Sequence, residues 1–151
     1  MKESIVILLF ASLIAFFSCS RGGDEHSMHG KKNSGSNDLP VIPGPGKKVE
    51  INKDFYFTYE FSQKPAMGML TIKIELFTSD GKPSTALTAV GNSSMPAMKG
   101  AHDSGDVEFK LNKKGYYLLP VNVVMPGEWE VKVKFLQDKK AIYEGKIDFD
   151  V

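Results

Sequence analysis

The sequence has little cysteine, little net charge and little histidine. Its single cysteine, Cys19, excludes an intrachain disulfide and a zinc site built from several thiolates. The formal net charge of +1 argues against electrostatic attraction to nucleic acid or to an anionic membrane surface. With three histidines, the chain shows no Ser-His-Asp order, paired-carboxylate motif or phosphate-binding glycine loop. We therefore expect a protein that is not an enzyme and has no nucleic-acid partner.

The one long apolar run lies at the N-terminus, from Ile5 to Phe17. It is shorter than the roughly 20 residues that a membrane-spanning helix needs, but it is typical of a signal peptide. The run ends at Ser18-Cys19, which resembles a bacterial lipobox. The resemblance implies that residues 1–18 are a signal peptide, cleaved before Cys19, and that the Cys19 thiol carries lipid. Ordinary secretion and an uncleaved anchor are the alternatives.

A lipidated Cys19 predicts the location of the mature chain. We expect it to be anchored to a membrane of the bacterial cell envelope and to face the periplasm or the exterior. The next segment, residues 19–48, is rich in Gly, Ser, Asn, Lys and Pro and has almost no apolar residue before Leu39. Such a segment buries too little surface to offset its conformational entropy, so we expect a flexible linker between the lipid and a domain.

From Val49 onward, apolar and polar residues alternate in short runs separated by turns such as "SDGKP", "NKKG" and "QDKK". Alternation with a period of two is typical of strands with one solvated face. The predicted inward positions are Phe55, Phe57, Tyr59 and Phe61; Leu70, Ile72, Ile74 and Leu76; Val107, Phe109 and Leu111; Trp129, Val131, Val133 and Phe135; Ile147, Phe149 and Val151. About seven strands and no helical periodicity predict an all-β, immunoglobulin-like β-sandwich over residues 49–151, with Trp129 in its core.

Four short motifs of this domain resemble YtkA-like and FixH-like domains of bacterial envelope proteins. The motifs are Asp80-Gly81-Lys82-Pro83, Met95-Pro96-Ala97-Met98, Gly115-Tyr116 and Met125-Pro126-Gly127-Glu128-Trp129. The resemblance covers roughly Lys53 to Val151. It implies an immunoglobulin-like fold and an envelope setting, and members of these families are often linked to copper handling or respiratory-oxidase assembly.

The loop "SSMPAMKGAHDSG" carries the candidate copper ligands Met95, Met98 and His102, and Met125 is a fourth if its loop lies at the same end of the sandwich. Thioether sulfur is a soft, neutral ligand that favours Cu(I), and imidazole binds either copper state. Unlike cysteine, methionine is not consumed by disulfide formation outside the cytoplasm. The alternative is that these methionines fill gaps at the end of a core, because methionine is a flexible apolar side chain.

A second cluster of soft ligands lies in the predicted linker, where "DEHSMHG" contains His26 and His29. Two histidines three residues apart could capture copper or zinc loosely from a flexible segment. A solvated linker with incidental histidines explains the same sequence.

Two functions remain open at this point. The first is a membrane-anchored envelope lipoprotein that binds or delivers copper through the Met/His loop. The second is a structural or protein-interaction lipoprotein with no metal role, whose partners are the lipid membrane and an envelope protein.

Overall fold

The computed structural model describes residues 39–98, 100 and 102–151. Within these ranges the chain forms nine strands and no helix. None of the described segments is a helix long and apolar enough to cross a membrane. The predicted signal peptide, Cys19, His26 and His29 lie outside the described residues. The strands are β1 (Val49–Glu50), β2 (Phe55–Phe61), β3 (Gly68–Thr78), β4 (Thr88–Ser94), β5 (Val107–Glu108), β6 (Lys110–Leu111), β7 (Tyr117–Val123), β8 (Glu128–Gln137) and β9 (Lys140–Asp150).

The strands form two antiparallel sheets. One has the order β1-β2-β3-β7-β6 and the other the order β5-β4-β8-β9. The order β2-β3-β7-β6 corresponds to strands A, B, E and D of an immunoglobulin domain, and β4-β8-β9 corresponds to C, F and G. The prediction of an immunoglobulin-like β-sandwich is confirmed.

The core lies between the inner faces of the two sheets. In β3 and β8 the alternation is confirmed, because the predicted inward residues are all almost fully buried. Trp129 is 1% exposed and is the largest of these side chains. On β4 the core needs a glycine. A Cβ at Gly91 would lie 2.5 Å from Leu119 Cδ2 and 2.8 Å from Phe109 Cε2, so the aromatic ring packs directly onto the β4 backbone.

The prediction that Val107 and Leu111 point inward is wrong. They are 39% and 50% exposed, while Phe109 between them is 3% exposed. The reason is that β5 and β6 belong to different sheets, each at an edge. The chain crosses between the sheets at Phe109, whose N–H donates to the Ala89 carbonyl at 2.9 Å. Only the residue at the crossing can enter the core.

The packed part of the chain begins before Val49, where the strand alternation places the domain boundary. Ile42 is 4% exposed and belongs to the core. Its N–H donates to the Lys146 carbonyl at 2.7 Å, and Val41 forms a parallel bridge with Lys146. One buried side chain with backbone bonds to β9 produces no alternating run, so this contact has no periodic signature in the sequence.

Candidate functional site

The strand register brings three loops to one end of the sandwich. Ser94 at the end of β4 lies opposite Glu130 near the start of β8. Gly68 at the start of β3 lies opposite Val123 at the end of β7, and residues 124–127 connect β7 to β8. The loops that carry Met95 and Met125 therefore share an end, which is the condition for the predicted four-residue site.

We call this end, formed by residues 62–69, 95–98, 102–106 and 124–127, the methionine end. It contains every methionine in the described part of the chain. These are Met67, Met69, Met95, Met98 and Met125. The opposite end of the sandwich has none among its described residues. Gap-filling alone gives no reason for such a distribution, because it would serve equally well at either end of a core.

Two of the predicted ligands are packed against the core. Met95 is 5% exposed, and its Cε lies so close to the backbone of Gly127 that a Cβ there would come within 3.1 Å. Met125 is half-buried against the core, and its carbonyl accepts a hydrogen bond from Trp129 Nε1 at 3.1 Å. Met95 and Met125 therefore do pack against the end of the core, as the gap-filling alternative predicts.

The other two predicted ligands face solvent. Met98 is 41% exposed, and its N–H donates to the Met95 carbonyl at 3.0 Å, so a tight turn joins the buried and the exposed thioether. His102 is exposed, with its ring centroid 6.5 Å from that of Trp129. Its φ of 61° lies in the left-handed region, which non-glycine residues seldom occupy.

The loop that carries these residues is fastened at its base. Ser93 N–H donates to Ser104 Oγ at 2.9 Å, and Ser104 N–H donates to the Ser93 carbonyl at 2.9 Å. Asp103 Oδ1 accepts from the Gly105 N–H at 2.8 Å, which forms a local Asx turn. These bonds hold the two ends of the loop together, so Met95, Met98 and His102 belong to one closed segment.

A cavity of about 290 Å³ opens beside this loop. Its lining consists of Pro96, Glu128, Trp129, Lys146, Asp148, Phe149 and Asp150. Lys146 Nζ lies 3.1 Å from Glu130 Oε2 and 3.2 Å from Asp148 Oδ2. The hydrogen bond that Lys146 Nζ donates to Glu130 Oε2 raises the pKa of Lys146, so the ammonium group stays charged and pairs with both of these carboxylates.

The chemistry of the available donors is soft. Across residues 39–98, 100 and 102–151, no three His, Cys, Asp or Glu side chains are grouped so that they could hold a metal ion. At the methionine end the two described carboxylates are engaged, Asp103 by the Gly105 N–H and Asp106 by Lys134 Nζ, and the other donors are thioethers and the His102 imidazole. Such a set suits Cu(I) or another soft monovalent ion rather than Mg²⁺ or Ca²⁺.

Sequence reasoning missed Met67 and Met69, which flank Gly68 at the start of β3. Both are strongly exposed, at 63% and 59%. The alternating run begins at Leu70, and the sequence before it, which contains Pro65 and Gly68, is typical of a turn. The spacing Met-Gly-Met before a strand was the available signal.

A comparison with family models finds a match to the YtkA-like family over residues 50–134. No curated protein matches the sequence significantly. The matched range contains β2 to β7, most of β8 and the loops of the methionine end. It also covers more than half of the chain, so the protein belongs to the YtkA-like family.

Proposed function

We propose that this protein is a membrane-anchored lipoprotein of the bacterial envelope whose sandwich binds Cu(I) at the methionine end, for storage or delivery. The observation that carries the proposal is the convergence of Met95, Met98, His102 and Met125 at one end of the fold. Membership of the YtkA-like family supports an envelope-associated domain. The lipobox at Ser18-Cys19 supports the anchor.

In the proposed site, two of the four ligands are exposed and two are packed against the core. Met98 and His102 are exposed and would make the first contacts with an incoming ion. Met95 and Met125 would supply thioethers from the packed side, next to Trp129 and away from bulk water. Neutral sulfur ligands favour Cu(I) over the harder, more strongly hydrated Cu(II). A bound Cu(I) ion could exchange its thioether ligands for those of a partner protein, and this ligand exchange is the chemistry that delivery requires.

The proposal is tested by anaerobic titration of Cu(I) into the full chain in detergent, with a chromogenic chelator as competitor. The key variant is Met95→Leu with Met98→Leu, because leucine conserves volume and costs less than about 1.5 kcal/mol per site. We expect wild type to hold one Cu(I), and the double variant to bind at least about tenfold more weakly, about 1.4 kcal/mol. Unchanged affinity in the double variant would contradict the proposal.

The matched control is His26→Ala with His29→Ala, which removes the predicted ligands of the linker and leaves the sandwich intact. We expect this variant to bind Cu(I) as wild type does. If it alone loses the ion, metal capture belongs to the linker.

A second candidate function is docking of an envelope protein at the same end. The observation that favours it is the exposure of apolar side chains there, with Met98 at 41% and Val124 at 49%. Retention of no Cu(I) by wild type, combined with a partner whose binding is lost on Val124→Lys, would select this function over metal binding.

A further inference from the structure

Met67 and Met69 are exposed to an extent that packing does not explain. Their exposed fractions are 63% and 59%, against 5% for Met95. A methionine recruited to fill a gap is buried, because its stabilising effect comes from removing apolar surface from water. These two side chains leave most of that surface in water, and neither is part of the core cluster.

Hydrogen bonds fix the backbone of the connection that carries the two methionines. Ser62 N–H donates to the Thr71 carbonyl at 2.8 Å, and Thr71 N–H donates to Ser62 Oγ at 3.1 Å. These bonds close the β2–β3 connection just beyond the methionines. Gly68 between them has a φ of 106°, and a Cβ built there would meet no atom within 4 Å. Because Gly68 has no side chain, no side chain stands between Met67 and Met69 along the chain.

Met69 lies on a different surface from the Met95 loop. Leu70 points into the core, so by alternation along β3 the neighbouring Met69 faces the outer side of the five-stranded sheet. Met95 follows β4 of the other sheet and points into the core. Packed sheets are about 10 Å apart, which is too far for sulfurs on these two surfaces to share one ion.

We propose that Met67 and Met69 form a second site for a soft monovalent cation, Cu(I) or Ag(I), on the outer face of the methionine end. Two neutral thioethers on long, flexible stems, two residues apart along the chain, can close on one ion. The residue opposite Met69 across the sheet is the uncharged Asn122, so no fixed charge at that position attracts hard cations. With two sulfur donors and full access to water, this site exchanges its ion faster and binds it more weakly than the packed site. The inference concerns separate residues and stands independently of the proposed Cu(I) site.

The test uses Ag(I), which has no accessible redox chemistry, and the full chain in detergent with ¹³C-labelled methionine methyl groups. Single Met→Leu variants assign the methyl signals. We expect the Met67 and Met69 signals to shift together as Ag(I) is added, with a midpoint at least about tenfold above that of Met98. The same two shifts persist in the Met95→Leu/Met98→Leu variant. Met67→Leu alone abolishes the shift of the Met69 signal, Met69→Leu alone abolishes that of Met67, and neither changes the shifts of Met98 and Met125.

Three results would overturn the inference: no shift of either signal at Ag(I) concentrations up to about a thousandfold above the Met98 midpoint, a shift of only one of them, or loss of both shifts when Met95 and Met98 are replaced. The proposed Cu(I) site fails in a different way, through unresponsive Met98 and Met125 signals. Responsive Met67 and Met69 signals in that case still establish the outer site. Met28→Leu is the control for binding by the linker.

Discussion

The two ends of the sandwich differ in the side chains that they present to solvent. At the end opposite the methionines, formed by residues 51–54, 79–87, 112–116 and 138–139 and called here the turn end, side chains bind their own backbone. Asn112 Oδ1 accepts from the N–H groups of Lys114 and Tyr116 at 2.9 and 3.0 Å, and Asn52 Oδ1 accepts from Asp54 and Phe55. At the methionine end, polar side chains close the backbone in the same way. That end also exposes the soft metal donors Met67, Met69, Met98 and His102, and the turn end has none among its described residues.

Positive φ values occur at both ends, mostly at glycines, where they cost little. At the turn end the non-glycine examples are Asp138 and Lys139, in a two-residue hairpin where a type I′ turn requires them. At the methionine end the non-glycine example among the described residues is His102, with a φ of 61°. An uncommon conformation at a potential metal ligand favours a functional role for its side chain.

The largest expected effect is on stability, and it differs between the buried Met95 and the exposed Met98 of the same loop. Met95→Ala removes a side chain that is 5% exposed, which typically costs about 2–5 kcal/mol of unfolding free energy. Met98→Ala removes one that is 41% exposed, and we expect a change within about 0.5 kcal/mol. Urea denaturation followed by Trp129 fluorescence measures both. Equal losses would show that the loop packs as one unit.

Asn112→Ala tests whether the turn end is purely structural. It removes an acceptor of two backbone N–H groups, each hydrogen bond contributing about 0.5–1.5 kcal/mol. We expect a loss of about 1–2 kcal/mol with Cu(I) affinity unchanged. Thermal unfolding and the competition titration give the two readouts, and Lys113→Ala is the neighbouring control. A weakened Cu(I) affinity would mean that the ends are coupled.

The left-handed positions give a matched pair of substitutions. Gly115→Ala places a Cβ at φ 82°, and the left-handed conformation costs an L-residue roughly 1–2 kcal/mol. His102→Gly removes the strain of a left-handed φ at a non-glycine residue. Against this gain, the extra freedom of glycine in the unfolded chain lowers the free energy of unfolding by roughly 0.5–1 kcal/mol. We expect Gly115→Ala to lower the melting temperature and His102→Gly to leave it unchanged or slightly higher, with weaker Cu(I) binding. A marked loss of stability in His102→Gly would assign that residue a structural role.

The smallest expected effect concerns pH at the turn end. The Lys82 ammonium, 2.7 Å away, and the Thr78 hydroxyl lower the pKa of Asp80. Because the folded pKa lies below the unfolded value near 4, this contribution is complete at neutral pH and is lost as pH falls through the folded pKa. The carboxylate is exposed, so the effect is small.

Asp80→Asn should therefore flatten the decrease of melting temperature between about pH 5 and pH 2. Lys82→Met, which removes the main cause of the shift, should flatten it in part. A slope identical to that of wild type in both variants would show that the ion pair does not form in solution.

The sequence predicted those features that depend on one long strand. In β3 and β8 the alternation was correct, because both strands are long and lie inside a sheet with one face buried. The same reasoning failed at Val107 and Leu111, since strands of two residues are too short for a period to identify a face.

Non-local features of the candidate site were beyond sequence reasoning. That the Met95 and Met125 loops share an end follows from the pairing of Ser94 with Glu130, which no local pattern encodes. The residue types of the Met/His loop were visible, but the division into a buried Met95 and an exposed Met98 required the packing around Gly127 and Trp129.

Binding of a soft ion at the methionine end of the sandwich can be followed through the fluorescence of Trp129 during Ag(I) titration of the full chain. This is the only tryptophan in the protein, and it lies 6.5 Å from His102 and donates a hydrogen bond to Met125. We expect a saturable one-to-one change that persists in His26→Ala/His29→Ala and whose midpoint rises at least about tenfold in Met95→Leu/Met98→Leu. An unresponsive wild type, or an unchanged midpoint in the methionine variant, would contradict binding at this end.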